Sequence, residues 1–161
     1  MIQHASNLNG SHNSYSRVAQ PESSAQPIRV LCVDDNDLLA DAIEMNLKLA
    51  GGFQWLGQLK NAGSLTKRCE SDKPDVVLLD IDMPGKDPFD ALEQLTEACP
   101  DVRVLMLTGL VRSDLIDRAI TAGAWGYLSK NDGLALIPAI RRVVDGEFVL
   151  GPEAHGQYLN T

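Results

Sequence analysis

The chain of 161 residues has room for one ordinary domain, and its 44% share of hydrophobic residues is enough to build a core. Its 22 acidic residues against 14 basic ones give a net charge of -8, which argues against direct binding of nucleic acid. The N-terminus has no basic segment leading into an apolar one, and no stretch approaches the roughly 20 apolar residues of a membrane span. We therefore expect a soluble, cytoplasmic protein that does not contact a membrane.

The first 27 residues are rich in Ser, Asn, Gln and His and contain almost no large apolar side chains. Such a segment cannot bury enough apolar surface to offset the entropy lost on ordering. We predict a disordered N-terminal tail at residues 1–27 and a folded domain at residues 28–150. After Gly146 the chain offers Phe148, Val149 and Leu150 and then a polar end, so residues 151–161 are predicted to form a C-terminal tail.

Five short apolar runs follow the tail, at residues 28–33, 54–59, 76–79, 102–107 and 126–128. They are continuous rather than alternating, which is typical of strands covered on both faces. The stretches between them carry apolar residues at helical spacing, namely Leu39, Ile43 and Leu47, then Leu92, Leu95 and Ala98, then Leu115, Ala119 and Ala122. This alternation predicts a parallel sheet with helices on both faces.

Several helix boundaries are marked by residues with known positional preferences. Asp87 followed by Pro88 predicts an N-cap and a proline at the first helical position, and Ser113 is a second candidate N-cap. Gly123 is suited to end the helix that Ser113 begins. In the last helix, predicted at residues 134–144, Pro138 either opens the regular helix or kinks it.

Three cysteines, Cys32, Cys69 and Cys99, stand far apart in the sequence. Their odd number and wide spacing fit neither a disulfide framework nor a metal site. We expect reduced thiols that pack in the core.

Polar side chains follow four of the predicted strands. Asp34 and Asp35 end the first strand, Asp80 ends the third, Thr108 ends the fourth, and Lys130 comes shortly after the fifth. In open parallel sheets, ligand sites lie at the carboxyl ends of the strands. We therefore expect these five side chains to meet at one edge of the sheet.

Three carboxylates at one edge repel one another unless a cation neutralises them, so the cluster predicts a bound metal ion. Ligands that are all oxygen favour Mg²⁺, which uses one or two carboxylates together with a phosphate oxygen. Lys130 suits a transferring phosphoryl group, although a structural salt bridge that closes the acidic site is an alternative role. The hydroxyl of Thr108 is placed to donate to a second phosphoryl oxygen.

The sequence resembles the receiver domain of bacterial response regulators over residues 28–150, most closely the receivers that precede helix-turn-helix domains. The motifs that carry the resemblance are Asp34-Asp35, Asp80 in Leu-Asp-Ile-Asp-Met-Pro-Gly, Thr108-Gly109, and Gly-Tyr-Leu-Ser-Lys ending at Lys130. The resemblance implies a flavodoxin-like, doubly wound sheet of five parallel strands in the order 2-1-3-4-5. It further implies that Asp80 accepts a phosphoryl group from a histidine kinase or phosphotransfer protein.

The resemblance also assigns roles to the other residues at this edge. Thr108 and Lys130 contact the phosphate, whereas the side chain of Asp82 is expected to be a solvated loop acid. The Mg²⁺ ligands that it implies are Asp34, Asp35, Asp80 and the backbone carbonyl of Asp82.

In receiver domains the signal passes through a hydroxyl on strand four and an aromatic residue on strand five, here Thr108 and Tyr127. The resemblance implies that helix four, strand five and helix five then change their surface. A half-buried aromatic at the sheet edge is the alternative role for Tyr127. Trp125 is a departure from the family and a candidate partner contact, with packing as its alternative. Asn131 stands where many receivers have proline.

The function expected from the resemblance is a non-enzymatic switch of a two-component system. Its partners are a kinase or phosphotransfer protein, a protein output partner and a second copy of the chain. We expect a stand-alone receiver, and the alternative is the receiver part of a longer DNA-binding regulator. A second class, the haloacid-dehalogenase-like phosphatases, shares the triplet Asp80-Ile81-Asp82, but places it on the first strand and has a hydroxyl residue where this chain has Pro84.

Overall fold

The computed structural model describes residues 25–160. The predicted disordered tail at residues 1–27 lies outside the described residues except for its last three, which form no regular secondary structure.

The described residues form one sheet of six strands, all parallel, in the order β2-β1-β3-β4-β5-β6. The strands are β1 Ile28–Val33, β2 Phe53–Leu59, β3 Val76–Leu79, β4 Arg103–Thr108, β5 Gly126–Ser129 and β6 Val149–Leu150. The predicted order of the first five strands is confirmed, but the predicted number of five is wrong. The two residues of β6 pair with Gly126 and Tyr127 of β5, and a run this short carries no recognisable strand pattern.

Helices cover both faces of the sheet, as predicted. They are α1 Asp37–Ala50, α2 Leu65–Asp72, α3 Pro88–Ala98, α4 Ser113–Ala122, α5 Leu136–Val144 and α6 Pro152–Leu159, with a short 3₁₀ turn at Gly133–Ala135. One core layer lies between the sheet and α2, α3, α4 and α6, and the other lies between the sheet and α1 and α5. No helix among the described residues combines the length and hydrophobicity needed to cross a bilayer.

Three of the four predicted helix boundaries agree with the structure. The carboxylate of Asp87 accepts from the backbone N–H of Phe89 at 2.8 Å, and Gly123 ends α4 with a φ of 104°. Pro138 lies in the first turn of α5 as its third residue, where a helix leaves its N–H groups unpaired. The prediction for Ser113 is wrong, since this residue is already helical and Arg112 precedes it at the capping position, where its side chain makes no capping hydrogen bond.

The predicted C-terminal tail is also wrong where the structure describes it, because most of it forms α6. Ala154 is fully buried against the sheet, and the hydroxyl of Tyr158 donates to Asp117 of α4 at 2.6 Å. A single buried alanine leaves little hydrophobic periodicity in the sequence, so the helix depends on its packing rather than on a visible apolar stripe.

Trp125 is half buried at the amino end of β5, at the opposite edge of the sheet from the carboxyl ends of the strands. The guanidinium of Arg103 stacks over its ring at 4.6 Å and also donates to the backbone carbonyls of Val143 and Val144 at the end of α5. This arrangement supports the packing role of Trp125 and not the predicted partner contact.

The cysteines occupy two environments, which predicts different reactivities. Burial raises the pKa of all three thiols, to about 12 for Cys32 and Cys69, but of the three only Cys99 is partly exposed and accessible to a reagent. In the native protein at pH 8 we expect iodoacetamide to modify Cys99 and to spare the other two, as measured by peptide mass spectrometry. Unfolding in urea should make all three react. Equal labelling of Cys32 or Cys69 in the native protein would contradict the described core.

Candidate functional site

The acidic pocket is formed by Asp34, Asp35 and Asp80, whose carboxylate oxygens lie within 4.8 Å of one another. The pairing of β1 with β3 explains this, because Val33 lies opposite Leu79 and the next residue of each strand is an aspartate. The backbone N–H of Asp80 donates to the carbonyl of Val33 at 3.0 Å. Asp34 and Asp80 are each only 2% exposed, whereas Asp35 is exposed and opens the pocket to solvent.

Lys130 bridges the two buried carboxylates of the pocket. Its Nζ lies 2.7 Å from Oδ2 of Asp34 and 3.0 Å from Oδ2 of Asp80. Its backbone N–H donates to the carbonyl of Thr108 at 2.9 Å, which holds the residue at the end of β4. Burial alone disfavours the charge on Lys130, but the hydrogen bonds and charges of the two aspartates outweigh it and raise its pKa. The ammonium therefore stays charged and leaves the pocket with two uncompensated negative charges.

The carboxylate of Asp80 is oriented by the backbone that follows it. Its Oδ1 accepts from the N–H of Ile81 at 2.8 Å and from the N–H of Asp82 at 3.3 Å, while Oδ2 contacts Lys130. The side chain of Asp82 is exposed and does not belong to the carboxylate cluster, as the sequence predicted. Asp80 is thus held by three donors, and it is the member of the cluster that follows β3.

The turn that carries Asp34 and Asp35 is held by residues that the sequence analysis did not single out. Oδ1 of Asp34 accepts from the N–H of Asn36 at 2.9 Å, and the Asn36 side chain caps α1. The side chain of Gln58 donates to the backbone carbonyl of Asp34 and to Asp37. The hydrogen bonds from Lys60 and then Gln58 lower the pKa of the exposed Asp37.

Thr108 and Tyr127 both contact the loop that follows β4. Thr108 is fully buried, and its Oγ1 accepts from the N–H of Leu110 at 3.1 Å. Tyr127 is 1% exposed, and its hydroxyl donates to the carbonyl of Leu110, while burial and the nearby acids raise its pKa. Tyr127 is therefore buried more deeply than the alternative of a half-buried aromatic at the sheet edge implied, because β6 lies beyond β5 and covers that edge. The two predicted switch residues therefore bind the backbone N–H and the backbone carbonyl of the same loop residue, Leu110.

The loop after Lys130 is tied to α6. The side-chain amide of Asn131 donates to Glu153 at 3.3 Å, and Oδ2 of Asp132 accepts from the backbone N–H of Glu153 at 3.2 Å. The peptide bond before Asn131 is trans. The loop therefore connects the pocket to a helix that the sequence did not predict.

The residues of the pocket fit Mg²⁺. Three carboxylates are hard oxygen ligands, and their charge exceeds that of Lys130 by two, which matches a divalent cation. No sulfur or imidazole ligand belongs to this cluster, which argues against zinc and other softer metals.

Residues 30–141 match the family model described as the response regulator receiver domain, which is more than half of the chain. The chain belongs to the response regulator receiver family. Its receiver domain carries an acidic pocket at the carboxyl ends of β1 and β3, where members of this family bind Mg²⁺. Membership of the receiver family and the exposed side chain of Asp82 both argue against a haloacid-dehalogenase-like phosphatase.

The receiver domain is similar to curated regulators of two-component systems. It is 38% identical over 127 residues to "Response regulator GacA" of Pseudomonas viridiflava, which covers 78% of this chain and 59% of the relative. It is 34% identical over 121 residues to "Response regulator UvrY" of Escherichia coli K12, which covers 74% of this chain and 56% of the relative. The chain thus spans somewhat less than two thirds of the length of these relatives.

Solved structures show the same fold. A "two-component response regulator, LuxR family" from Aurantimonas has a TM-score of 0.79 at 23% identity, covering 83% of this chain and 96% of that one. The isolated receiver domain of RcsB from Salmonella enterica has a TM-score of 0.74 at 16% identity, covering 81% and 98%.

Proposed function

We propose that this receiver domain accepts a phosphoryl group on Asp80 from a phosphohistidine of a histidine kinase or phosphotransfer protein, and that phosphorylation changes the surface formed by α4, β5 and α5. The observation that carries the proposal is the position of Lys130. A partly buried ammonium that contacts the acceptor carboxylate at 3.0 Å offers positive charge at the place where phosphoryl oxygens arrive.

In the transfer step, a carboxylate oxygen of Asp80 attacks the phosphorus atom of the donor. The bond from phosphorus to the donor imidazole breaks, its electron pair remains on the imidazole nitrogen, and an acyl phosphate forms on Asp80. The backbone N–H groups of Ile81 and Asp82 keep the carboxylate in one orientation during the attack. Later attack of water on phosphorus releases inorganic phosphate and restores the carboxylate. We propose that the protein acts as a switch through this cycle of phosphorylation and hydrolysis rather than as an enzyme.

Asp34, Asp35 and Asp80 are the side chains that would hold Mg²⁺, and the backbone carbonyl of Asp82 is proposed as a further ligand. When bound, Mg²⁺ supplies the positive charge that lets an anionic phosphoryl group approach three carboxylates. The ammonium of Lys130 lies at the end of a flexible side chain, and we propose that it turns from the carboxylates to the phosphoryl oxygens.

Thr108 and Tyr127 are proposed to report the phosphorylation. The hydroxyl of Thr108, which accepts from Leu110, is proposed to donate to a phosphoryl oxygen, and the loop at Leu110 connects it to the hydroxyl of Tyr127. A movement of Thr108 toward the phosphate would therefore change the loop before α4. Part of the surface beside α4 is already covered by α6, whose Tyr158 contacts Asp117. An output partner therefore meets α6 as well as α4.

An apolar patch beside the pocket supports docking of a helical phosphoryl donor. Leu38, Met45 and Leu49 are exposed by 81%, 58% and 78% and follow one side of α1 at helical spacing. Leu134, which is 99% exposed, lines a cleft together with Asn46 of α1. Exposed aliphatic side chains that form one patch are typical of a protein-binding surface. A donor on this patch would lie next to the opening at Asp35.

The relatives favour a regulator with a DNA-binding output as the setting of this receiver. One similar structure, at 25% identity, is described as a "DNA-binding response regulator, LuxR family" from Staphylococcus aureus. We propose that the receiver itself binds proteins, including a second copy of the chain, because a net charge of -8 disfavours contact with phosphates. DNA contact would then belong to another part of such a regulator. A stand-alone receiver that acts on a protein partner remains the alternative setting.

Incubation with acetyl phosphate and Mg²⁺ tests the proposed function. We expect intact mass spectrometry to show one added phosphoryl group per chain, and we expect no addition when EDTA replaces Mg²⁺. Mild alkaline hydroxylamine should remove the group, because it cleaves acyl phosphates and spares phosphate esters. Uptake that is independent of the metal, or a modification that resists hydroxylamine, would contradict the proposal.

A further inference from the structure

A bulge interrupts the pairing of β1 with β2 close to the acidic pocket. Val30 lies opposite Trp55, but the next residue, Leu31, lies opposite Gly57, so Leu56 is an extra residue in β2. Gly57 has a φ of 114°, a conformation that residues with a Cβ atom rarely adopt. The carbonyl of Leu56 accepts from the Arg68 guanidinium at 2.7 Å, so the carbonyl of the extra residue has a hydrogen-bond partner.

The bulge decides which face of the sheet Gln58 occupies. After the shift, Gln58 lies opposite Cys32, which belongs to the core layer beneath α1 and α5. Successive residues of a strand alternate between faces, so regular pairing of the same sequence would place Gln58 opposite Val33 and turn it toward the opposite helices. The bulge therefore places this side chain under the start of α1.

From this position, the side-chain amide of Gln58 donates two hydrogen bonds. Its Nε2 lies 2.8 Å from the backbone carbonyl of Asp34 and 3.1 Å from Oδ1 of Asp37. An amide nitrogen has two N–H groups, so both of its donors are used. Lys60 holds the other carboxylate oxygen of Asp37 at 3.1 Å. Gln58 thus connects the end of β1 to the first turn of α1 across the residues between them.

We infer that Gln58 is a positioning residue for the metal-binding turn at Asp34 and Asp35. This inference rests on the proposed function of that turn. The carbonyl of Asp34 belongs to the rigid peptide plane that joins the two aspartates, so a hydrogen bond to this oxygen sets the direction in which both side chains leave the backbone. Partners that orient metal ligands in this way contribute about 10- to 100-fold to metal affinity.

The test compares Gln58→Leu with Gln54→Leu in the full chain, using Mg²⁺ alone as the probe. Gln54 lies on the same strand, four residues earlier, and its side chain bonds Arg29 rather than the pocket. Isothermal titration calorimetry should show that Gln58→Leu weakens Mg²⁺ binding about tenfold, the lower end expected because the bond is to a backbone oxygen. Gln54→Leu should leave the affinity within about twofold, as expected of a surface change away from the site.

A second pair of variants separates the two hydrogen bonds. Gln58→Glu keeps the length of the side chain but cannot donate to the Asp34 carbonyl, so we expect it to weaken Mg²⁺ binding at least as much as Gln58→Leu. Adding Asp37→Asn restores a hydrogen bond between positions 58 and 37 and leaves the Asp34 carbonyl without its donor. We expect this double variant to remain weak, and full recovery would overturn the inference. Gln58→Glu also replaces Gln58→Leu in the comparison if the latter does not fold.

The inference and the proposed function fail in different ways. Equal Mg²⁺ affinities for Gln58→Leu and Gln54→Leu, with normal binding by the unmodified chain, would overturn the inference alone. Absence of Mg²⁺ binding by the unmodified chain would overturn the proposed function and the inference with it. A merely structural role would lower the urea midpoint of Gln58→Leu without a selective change in affinity, and that result also overturns the inference.

Discussion

Asp80→Asn is expected to abolish phosphoryl uptake from acetyl phosphate. The amide is a poor nucleophile, and it replaces the carboxylate that Lys130 and two backbone N–H groups hold in place. The change preserves size and shape, so the fold should persist. Intact mass spectrometry after incubation with acetyl phosphate and Mg²⁺ measures the effect, and we expect no added phosphoryl group in the variant.

Asp82→Asn is the matched control for this variant. Asp82 is two residues further along and bears the same side chain, but that side chain is exposed and lies outside the carboxylate cluster. We expect this variant to accept one phosphoryl group, as the unmodified chain does. Labelling of Asp80→Asn to the level of the control would show that another residue is the acceptor.

Lys130→Met is expected to destabilise the fold by about 2 kcal/mol in the absence of Mg²⁺. Removing one partner of a buried ion pair costs about 3 to 5 kcal/mol, and we lower this figure because the Lys130 side chain is 24% exposed. Methionine keeps an unbranched apolar side chain of similar length, so the loss of stability reports the removal of the ammonium charge. Equilibrium unfolding in urea, monitored by circular dichroism, measures the change in the free energy of unfolding.

Mg²⁺ should restore much of the stability that Lys130→Met loses. The variant pocket retains Asp34 and Asp80 without an ammonium, and a ligand that binds only the folded state stabilises it by mass action. Lys48→Met is the control, because Lys48 pairs with Glu44 on the surface of α1 and should contribute about 0.5 kcal/mol or less. Equal losses for the two variants, or a loss that Mg²⁺ does not reduce, would contradict the described role of Lys130.

The grouping of Asp34, Asp35, Asp80 and Lys130 was predictable because each follows a recognisable strand. Parallel strands bring their carboxyl ends to one edge, so sequence position alone indicates which side chains meet. Their individual contacts were not predictable. The sequence left the role of Lys130 open between a salt bridge and a phosphate contact, and the structure shows the salt bridge at 2.7 and 3.0 Å.

Trp125 and α6 show which features the sequence could not decide. A tryptophan before a strand is compatible with either exposure or packing, and only the Arg103 side chain from the neighbouring strand decides that it packs. In α6, the burial of Ala154 depends on a surface that α4 and β5 create together. Both outcomes depend on contacts between residues that are distant in sequence, which hydrophobic periodicity does not record.

The sequence by itself determined the parallel α/β fold and the set of residues at the acidic pocket, because these follow from local periodicity and from the rule for strand ends, whereas the order of the first five strands was implied by the resemblance to receiver domains. Only the tertiary structure decided that β6 extends the sheet and α6 packs on it, that Tyr127 is buried against the loop at Leu110, and that a bulge at Leu56 aims Gln58 at the turn of the pocket. The physical reason is that register and burial are properties of paired segments, so no single segment contains them.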